Sequence, residues 1–235
     1  MKFKKSAIVL CSGGLDSFVT AYYVKKKLGY DKITILFFNY GQKSLLLERK
    51  CAKKCAFQLK ADFQEINLSI LKELSTSLIN IPGKVSRLKR KALYDTKKET
   101  KKWYVPGRNT LFLSYALSLA DSLYISQNKR CDIFVGFKCE GKESYPDTTQ
   151  EYISNLNKIA GKAFSSSFQI KAPLIKKDKE DIISLGKRLG VNYEDTFSCY
   201  IGIKKHCGYC LACKLRQEGF YWANTKDPTE YFDKN

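Results

Sequence analysis

Histidine is almost absent from this sequence, which has 235 residues and a single histidine, His206. Ser-His-Asp and Cys-His catalytic sites both use an imidazole as general base. One histidine therefore argues against either kind of nucleophilic catalysis. We expect any chemistry in this chain to depend on alignment of reactants and on charge stabilisation instead.

Long apolar runs are absent as well. The apolar stretch nearest the basic N-terminus, residues 7–11, is too short for the central region of a signal peptide. No stretch approaches the roughly 20 apolar residues that a membrane-spanning helix needs. A hydrophobic fraction of 44% is typical of a soluble globular protein. We therefore expect a cytoplasmic protein with no membrane partner.

Acidic residues are scarce: 23 Asp and Glu stand against 42 Lys and Arg, which gives a formal net charge of +19. Such an excess attracts nucleotides, phosphates and nucleic acids alike. Much of it is lysine, which on a solvated face serves mainly solubility. Charge alone therefore does not distinguish a nucleic-acid-binding protein from an enzyme that uses a nucleotide.

Short apolar runs alternate with amphipathic segments along most of the chain. The predicted strands are residues 7–11, 33–38, 63–66, 133–136 and 168–172, and the predicted helices are 17–28, 45–57, 111–125, 151–163 and 178–189. This alternation predicts an α/β fold, a Rossmann-like and mostly parallel sheet with helices on both faces. In such folds the ligand lies beyond the carboxyl ends of the strands, which here means the turns after Cys11, Phe38 and Val135.

Residues 69–103 are the exception, because their apolar periodicity is weak. Basic side chains are concentrated in its second half: Lys84, Arg87, Lys89, Arg90, Lys91, Lys97, Lys98, Lys101 and Lys102. A loop this long in a compact domain is usually functional or partly disordered. One interpretation is a lid over a nucleotide or a contact with a polyanion, and the other is a solvated basic insertion.

The turn after the first predicted strand carries a phosphate-binding motif made of Ser12, Gly13, Gly14, Leu15, Asp16 and Ser17. Its glycines let the backbone turn sharply and approach a ligand closely. Free N–H groups at the start of the following helix, with the two serine hydroxyls, can hold oxyanions. Asp16 can help to bind Mg²⁺ on phosphates. The motif is neither a Walker loop nor a Gly-x-Gly-x-x-Gly dinucleotide fingerprint.

Nine cysteines fall into two groups. Five are scattered among apolar neighbours and are expected to act as small hydrophobic residues: Cys11, Cys51, Cys55, Cys131 and Cys139. The other four, Cys199, Cys207, Cys210 and Cys213, are close together. Four thiolates can surround Zn²⁺ tetrahedrally with no open position, which predicts a structural zinc site rather than disulfides. His206 either replaces one thiolate or is an exposed neighbour.

The Ser-Gly-Gly-x-Asp-Ser motif at a strand-to-helix turn resembles the PP-loop of N-type ATP pyrophosphatases. Further blocks extend the resemblance over nearly the whole chain: 40–42 with Glu48, 104–110, 145–147, 173–174 with Lys179, and 198–200 with the last three clustered cysteines and Arg216. In this order the chain resembles the 7-cyano-7-deazaguanine synthases of queuosine-precursor biosynthesis. The resemblance implies the adenine nucleotide alpha hydrolase-like fold in residues 1–195, with residues 196–235 as a zinc-binding segment packed on it.

The resemblance implies an ATP-dependent C–N ligase. The carboxylate of 7-carboxy-7-deazaguanine attacks the α-phosphate of ATP, which gives an acyl adenylate and pyrophosphate. Ammonia then displaces AMP to give an amide, and a second adenylation of the amide oxygen leads to the 7-nitrile. Such chemistry needs aligned reactants and stabilised charge more than a protein nucleophile.

The resemblance also implies roles for individual residues. The 12–17 loop would hold pyrophosphate with Asp16 near Mg²⁺, Gly136 would adjoin the nucleotide, and Arg108 and Lys179 would neutralise phosphate charge. The predicted substrate-binding residues are Gln42, Glu48, Asn109, Tyr145 and Asp147.

The segment 136–149 departs from the family pattern. The pattern has Asp in place of Gly141, Gly in place of Ser144, and Cys-Arg where Thr148 and Thr149 stand. A specialised relative that transfers an activated 7-deazaguanine acid to another amine, such as a protein amine in an anti-phage system, is therefore an alternative. A basic zinc-containing nucleic-acid-binding protein is a third hypothesis. The resemblance further implies a homodimer, for which residues 111–125 offer an apolar contact.

Overall fold

Five parallel strands form a single sheet in the structure, a computed structural model that describes residues 5–138 and 145–233. The strands are β1 (Ser6–Leu10), β2 (Lys32–Asn39), β3 (Asp62–Asn67), β4 (Cys131–Phe134) and β5 (Ile170–Lys171). Their order across the sheet is β3-β2-β1-β4-β5. The chain thus extends the sheet in one direction from β1 to β3 and then in the other through β4. The carboxyl end of β1 lies at this reversal, where α/β sheets bind ligands.

Helices cover both faces of the sheet, as the sequence predicts. They are α1 (Leu15–Lys26), α2 (Leu45–Leu59), α3 (Leu71–Leu74), α4 (Lys97–Trp103), α5 (Arg108–Gln127), α6 (Gln150–Ala163), α7 (Lys179–Arg188) and α8 (Leu211–Trp222). Apolar side chains of α1, α2 and α7 bury one face, and those of α5 and α6 bury the other. No helix in the described part of the chain is long and apolar enough to cross a membrane.

The prediction from sequence periodicity places the start of α5 too late and does not include α8. Helix α5 begins at Arg108 rather than Leu111, because Gly107 adopts φ +65° and reverses the backbone immediately before it. Helix α8 packs on α7 although its apolar pattern is interrupted by cysteines and charged residues. Leu113, Ala116, Leu117 and Ala120 of α5 are buried in the core, whereas Leu111 and Ile125 are exposed, so core packing accounts for only part of its apolar surface.

Residues 69–103 have a buried inner side and an exposed outer side. On the inner side, Ile79 and Trp103 are buried in the core beside the sheet. The Nδ2 atom of Asn80 donates a hydrogen bond to the backbone oxygen of Tyr40 over 2.9 Å, which ties the stretch to the end of β2. The outer side carries most of the lysines, which are exposed. The stretch is therefore a wall on its inner side and a solvated basic surface on its outer side.

Arg216 fastens the C-terminal segment to the rest of the protein. Its side chain is only 1% exposed. The guanidinium donates hydrogen bonds to the hydroxyl of Thr196 over 2.8 Å, to the backbone oxygen of Tyr193 over 3.0 Å and to the hydroxyl of Thr229 over 2.8 Å. Residues on both sides of position 195 are therefore bound together, and the division at 195 stays a prediction.

Two glycines inside helices test the packing of the helical layer. A Cβ atom at Gly186 in α7 would lie 2.7 Å from the hydroxyl of Tyr193 and 2.8 Å from Val19, whereas at Gly161 in α6 it would meet no described atom within 4 Å. We expect Gly186→Ala to lower the free energy of unfolding by about 1–3 kcal/mol through overpacking. Gly161→Ala should raise it by up to about 1 kcal/mol, because alanine favours the helix.

Urea denaturation of the two variants and the parent protein gives this comparison directly. The same substitution should change stability in opposite directions, and destabilisation of similar size at both positions would contradict this packing.

Candidate active site

The loop of residues 12–17 lies between β1 and α1 and packs closely against α2. Gly13 adopts φ +77°, and a Cβ there would lie 2.4 Å from the backbone oxygen of Glu48 in α2. Glycine is therefore required both for the backbone angle and for the close approach. The hydroxyl of Ser17 donates to the backbone oxygen of Gly14 over 3.0 Å, and the backbone N–H of Gly14 donates to the hydroxyl of Ser12 over 3.3 Å.

Asp16 and Lys179 form an ion pair at the mouth of this loop. The Lys179 Nζ atom lies 2.7 and 2.9 Å from the two carboxylate oxygens of Asp16. Lys179 is the first residue of α7, so the pair brings together groups 163 residues apart. Both side chains are partly exposed, 16% for Lys179 and 25% for Asp16, and they line the same cavity.

Gly136 lies two residues after the end of β4 and packs against the first turn of α1. A Cβ at this position would lie 2.9 Å from both the backbone nitrogen and the Cα of Ser17. This contact confirms that the carboxyl ends of β1 and β4 meet, and it leaves no room for a side chain. The next residues, Phe137 and Lys138, then enter the cavity wall.

A cavity of about 350 Å³ opens above the carboxyl ends of the strands. One end is formed by the 12–17 loop with Gly136 and Lys179, and the other by aromatic and charged residues that follow β2 and begin α5. The structure brings the following predicted residues to its lining: Ser12, Gly14, Leu15, Asp16, Ser17, Glu48, Arg108, Asn109, Gly136, Tyr145 and Lys179. Gly13, Gln42 and Asp147 lie behind the lining.

Arg108, the first residue of α5, lines the cavity beside Tyr40. Its guanidinium carbon is 5.4 Å from the centre of the Tyr40 ring, and its Nε donates to the Oδ1 atom of Asn109 over 3.2 Å. Burial raises the pKa of Tyr40, which keeps this phenol protonated. Arg108 is therefore held by the Tyr40 side chain and the Asn109 amide, and its guanidinium can meet an anionic ligand in the cavity.

Glu48 and Gln42 form a connected pair at the β2–α2 turn. The Gln42 Nε2 donates to Glu48 over 3.0 Å and also to the backbone oxygen of Phe38 over 3.0 Å. Burial raises the pKa of Glu48, while hydrogen bonds from Ser44 and Gln42 act against that shift. Gln42 thus orients Glu48 toward the cavity, and contact of Gln42 itself with a substrate stays a prediction.

Tyr145 lines the cavity, and Asp147 lies behind this part of the wall. The Tyr145 hydroxyl donates to the backbone oxygen of Thr100 over 3.1 Å, and its ring stacks on Tyr104 with centroids 5.7 Å apart. Asp147 is 7% exposed, and its Oδ1 atom has no hydrogen-bond partner among the described residues. Burial raises the pKa of Asp147. A buried carboxylate oxygen without a donor is suited to a ligand N–H group.

The four clustered cysteines form a buried group suited to a metal. The sulfur atoms of Cys199, Cys207, Cys210 and Cys213 all lie within 4.8 Å of one another, and all four residues are buried. This arrangement fits a tetrahedral four-thiolate site. Of the scattered cysteines, Cys11, Cys55 and Cys131 are buried and Cys51 is partly buried, whereas Cys139 lies outside the described residues.

His206 is neither a member of the cysteine cluster nor an exposed neighbour of it. It is 7% exposed, and its Nε2 atom accepts a hydrogen bond from the backbone N–H of Ser198 over 3.0 Å. Its ring packs on Phe197 and Tyr231. Burial lowers the pKa of His206 to about 3, so the imidazole remains a neutral acceptor. The prediction of an exposed neighbour is therefore wrong, because the C-terminal tail folds over this residue.

Several lining residues were not predicted as part of the site. They are Thr96, Thr100, Phe112, Lys138, Ser198, Tyr200 and Leu215, among others. Thr96 and Thr100 belong to the stretch without periodicity, so their orientation could not be inferred. Tyr200 lies in a block of the family resemblance in which only the cysteine was given a role. Lys138 follows Gly136 by two residues, and this position beyond a strand end was the available signal.

Sequence comparison decides the family of this chain. The family described as "Queuosine biosynthesis protein QueC" matches residues 6–224. The chain belongs to the QueC family. The 7-cyano-7-deazaguanine synthase of Methanosphaera stadtmanae is 39% identical over 97% of this chain and 99% of its own length. The synthases of Methanobrevibacter smithii and Pyrococcus horikoshii are 33% and 34% identical, over 97% of this chain and 98% and 97% of theirs.

Solved structures resemble this one only distantly. The U34-tRNA thiolase NcsA from Methanococcus maripaludis, solved with its [4Fe-4S] cluster, matches with a TM-score of 0.45 and 13% identity. The match covers 100% of this chain and 76% of the thiolase. We draw no argument about chemistry from it.

The cysteine cluster gives a testable expectation about metal content. We expect one tightly bound metal ion per chain, and its loss in Cys213→Ser, because a hydroxyl is a much poorer ligand for a thiolate-preferring metal. Elemental analysis by mass spectrometry on purified protein measures this. Cys51→Ser is the matched control, since Cys51 lies outside the cluster. Unchanged metal content in Cys213→Ser would contradict the site.

Proposed function

We propose that this protein uses ATP to adenylate the carboxylate of 7-carboxy-7-deazaguanine and converts the acid, with ammonia, to 7-cyano-7-deazaguanine. The observation that carries this proposal is the two-ended cavity. A phosphate-binding loop with its ion pair forms one end, and stacked aromatic and charged groups form the other. The membership in the QueC family and the names of its curated relatives support the choice of acid.

The phosphate end suits the leaving pyrophosphate. Ser12, Ser17 and the first residues of α1 line the cavity, and their hydroxyls and backbone N–H groups would hold phosphate oxygens. Lys179 would neutralise charge as the bond to the α-phosphate breaks. Asp16, whose carboxylate faces the same space, would hold Mg²⁺ on the phosphates. When bound, this ion would offset phosphate charge.

The other end suits a planar purine-like acid. Arg108 and Asn109 lie beside the Tyr40 ring, and Asp147, whose Oδ1 atom has no hydrogen-bond partner among the described residues, is buried behind the adjoining wall. A carboxylate of this kind pairs with the N–H edge of a guanine-like ring. Arg108 would then meet the anionic side of the reacting acid or the α-phosphate. The acid carboxylate is thereby aligned with ATP, and alignment is the main requirement of an adenylation.

The cysteine cluster is proposed to bind zinc in a structural role. Four buried thiols satisfy the tetrahedral preference of Zn²⁺ and leave no position for a reactant. The bound ion would fix the segment that contains Ser198 and Tyr200, which form part of the cavity wall. A homodimer, which rests on the family resemblance, and a cytoplasmic location, which rests on the lack of long apolar runs in the sequence, are further parts of the proposal.

A second function, transfer of the activated acid to another amine, is favoured by one feature. Thr148 lines the cavity at a position where the resemblance implies cysteine, and Thr149 caps helix α6 by accepting a hydrogen bond from the backbone N–H of Tyr152 over 3.1 Å. Gly141 and Ser144, the other two residues that differ from the family pattern, lie outside the described residues. A changed wall beside the acid would alter the choice of acceptor amine.

Product analysis separates the two functions. Purified protein is incubated with 7-carboxy-7-deazaguanine, Mg-ATP and ammonium, and the products are identified by mass spectrometry. AMP together with the 7-cyano base supports the synthase. AMP with an accumulated adenylate or amide supports transfer to another amine. The absence of AMP with this acid would contradict both.

Asp16→Asn tests the phosphate end of the cavity. Asparagine keeps the shape of the side chain but removes its charge, so the pairing with Lys179 and the binding of Mg²⁺ are both weakened. We expect AMP formation to fall by about 100-fold or more. Asp31→Asn is the control, since Asp31 is exposed on the turn after α1. Full activity in Asp16→Asn would show that this loop is not where ATP reacts.

A further inference from the structure

We propose that the outer side of residues 84–102, together with the end of α8, binds single-stranded nucleic acid. Lysines hold the phosphates, and exposed aromatic rings stack on the bases. This binding surface lies outside the cavity, because neither the lysines nor the rings that form it line the cavity. The proposal therefore goes beyond the adenylation and does not depend on it.

Positive charge on this surface exceeds the negative charge that contacts it. Residues 84–102 contain nine basic side chains and two carboxylates, those of Asp95 and Glu99. Glu99 and two carboxylates of the C-terminal segment are engaged by Lys102 and the two arginines of the stretch. Nine cations against these four carboxylates leave a net positive surface. Six lysines are exposed and form no ion pair with any residue that the structure describes: Lys84, Lys89, Lys91, Lys97, Lys98 and Lys101.

Helix α4 carries three of these lysines in an order that its own stability does not favour. Lys97 and Lys98 lie in its first turn, where the helix dipole is positive. Lys97 and Lys101 are four residues apart, so their like charges repel each other. On the other side of the helix, Trp103 is 1% exposed, which fixes α4 with its lysines outward. A bound polyanion would relieve both repulsions.

Exposed aromatic rings accompany these cations. Tyr94 is 93% exposed and stands between the two groups of lysines in sequence. Tyr221 and Trp222, at the end of α8, are 62% and 63% exposed. The guanidinium carbon of Arg90 lies 4.6 Å from the centre of the Tyr221 ring and 5.8 Å from that of Trp222. Proteins that bind single strands combine such rings, on which bases stack, with cations that hold the backbone.

The same features disfavour a membrane or a duplex as the partner. A helix that binds a lipid surface inserts an apolar face, whereas Trp103, Leu88 and Leu93 of this stretch pack inward on the core. A duplex keeps its bases stacked on one another, so the exposed rings would have no partner in it. A single strand offers both phosphates and free base faces.

Fluorescence anisotropy of a labelled uridine oligonucleotide of about 12 nucleotides, titrated with the full chain, tests the role of the lysines. The titration is repeated from about 50 to about 200 mM salt and with a DNA strand of the same length, which shows whether the sugar matters. In the α4 variant, Lys97, Lys98 and Lys101 are all replaced by Gln.

The matched control removes the same charge elsewhere. Helices α1, α6 and α7 begin beside the cavity, so their last turns lie away from it. The control replaces three exposed lysines at these helix ends by Gln: Lys27, Lys162 and Lys187. Circular dichroism establishes that both variants are folded.

We expect the logarithm of the parent protein's affinity to fall with the logarithm of salt concentration with a slope of about −3, as about four phosphate contacts require. The α4 variant should bind about 30-fold more weakly or worse at about 50 mM salt, with a slope that is less steep by about two. The control should change the affinity by less than about threefold.

Trp222 reports base stacking directly, because the only other tryptophan, Trp103, is buried. The oligonucleotide should quench Trp222 fluorescence, whereas inorganic polyphosphate should compete for the surface without this quenching. Trp222→Leu should remove the quenching and weaken binding by about fivefold or more at an unchanged salt slope. Phe57→Leu is the control, since Phe57 is 83% exposed on α2.

Three results would overturn the proposal. Equal losses in the α4 variant and its control would mean that only the net charge of the chain attracts the strand. Binding without Trp222 quenching would mean that no base stacks there. Tighter binding to vesicles of anionic lipid than to either oligonucleotide would assign the surface to a membrane. AMP formation should be unchanged in the α4 variant, so any of these results leaves the proposed adenylation standing.

Discussion

The rest of the site depends on the close packing of three backbone segments beneath the phosphate-binding loop. Gly13 lies against the backbone of α2, and Gly136 lies against the first turn of α1. Neither position tolerates a side chain, so the loop, α1, α2 and the extension of β4 are held in one arrangement. Packing of this density transmits small displacements rather than absorbing them. The loop is therefore rigid before any ligand binds, which is what electrostatic stabilisation of a reacting phosphate requires.

A few polar contacts join segments that are distant in sequence around this packed region. Asp16 and Lys179 join the first and seventh helices. Arg216 joins the two sides of the C-terminal segment through fully buried hydrogen bonds. The 69–103 stretch is attached to the end of β2 through Asn80. Each contact connects segments that are distant in sequence, and together they enclose a cavity that no single element forms.

Sequence periodicity predicted the sheet well and the cavity wall only in part. The strands and the loop motif were readable because buried strands are continuous apolar runs and because glycine has few uses at such a turn. The four cysteines were readable from their spacing. Thr96, Thr100 and Tyr200 were not, because no period tells which side of an irregular segment faces inward. His206 was misjudged for the same reason, since its burial depends on a tail, including Tyr231, that folds back from 25 residues away.

Much of the wall opposite the sheet comes from one part of the chain. Phe197, Ser198, Tyr200 and Leu215 all line the cavity, and the backbone N–H of Phe197 donates to the oxygen of Gly13 over 2.9 Å. All five strands precede this part in sequence. During synthesis on the ribosome, the complete sheet and its loop are made first, and the cavity stays open on this side until the 197–215 region has been added. A chain interrupted after α7 would keep every strand of the fold and still be unable to enclose a substrate.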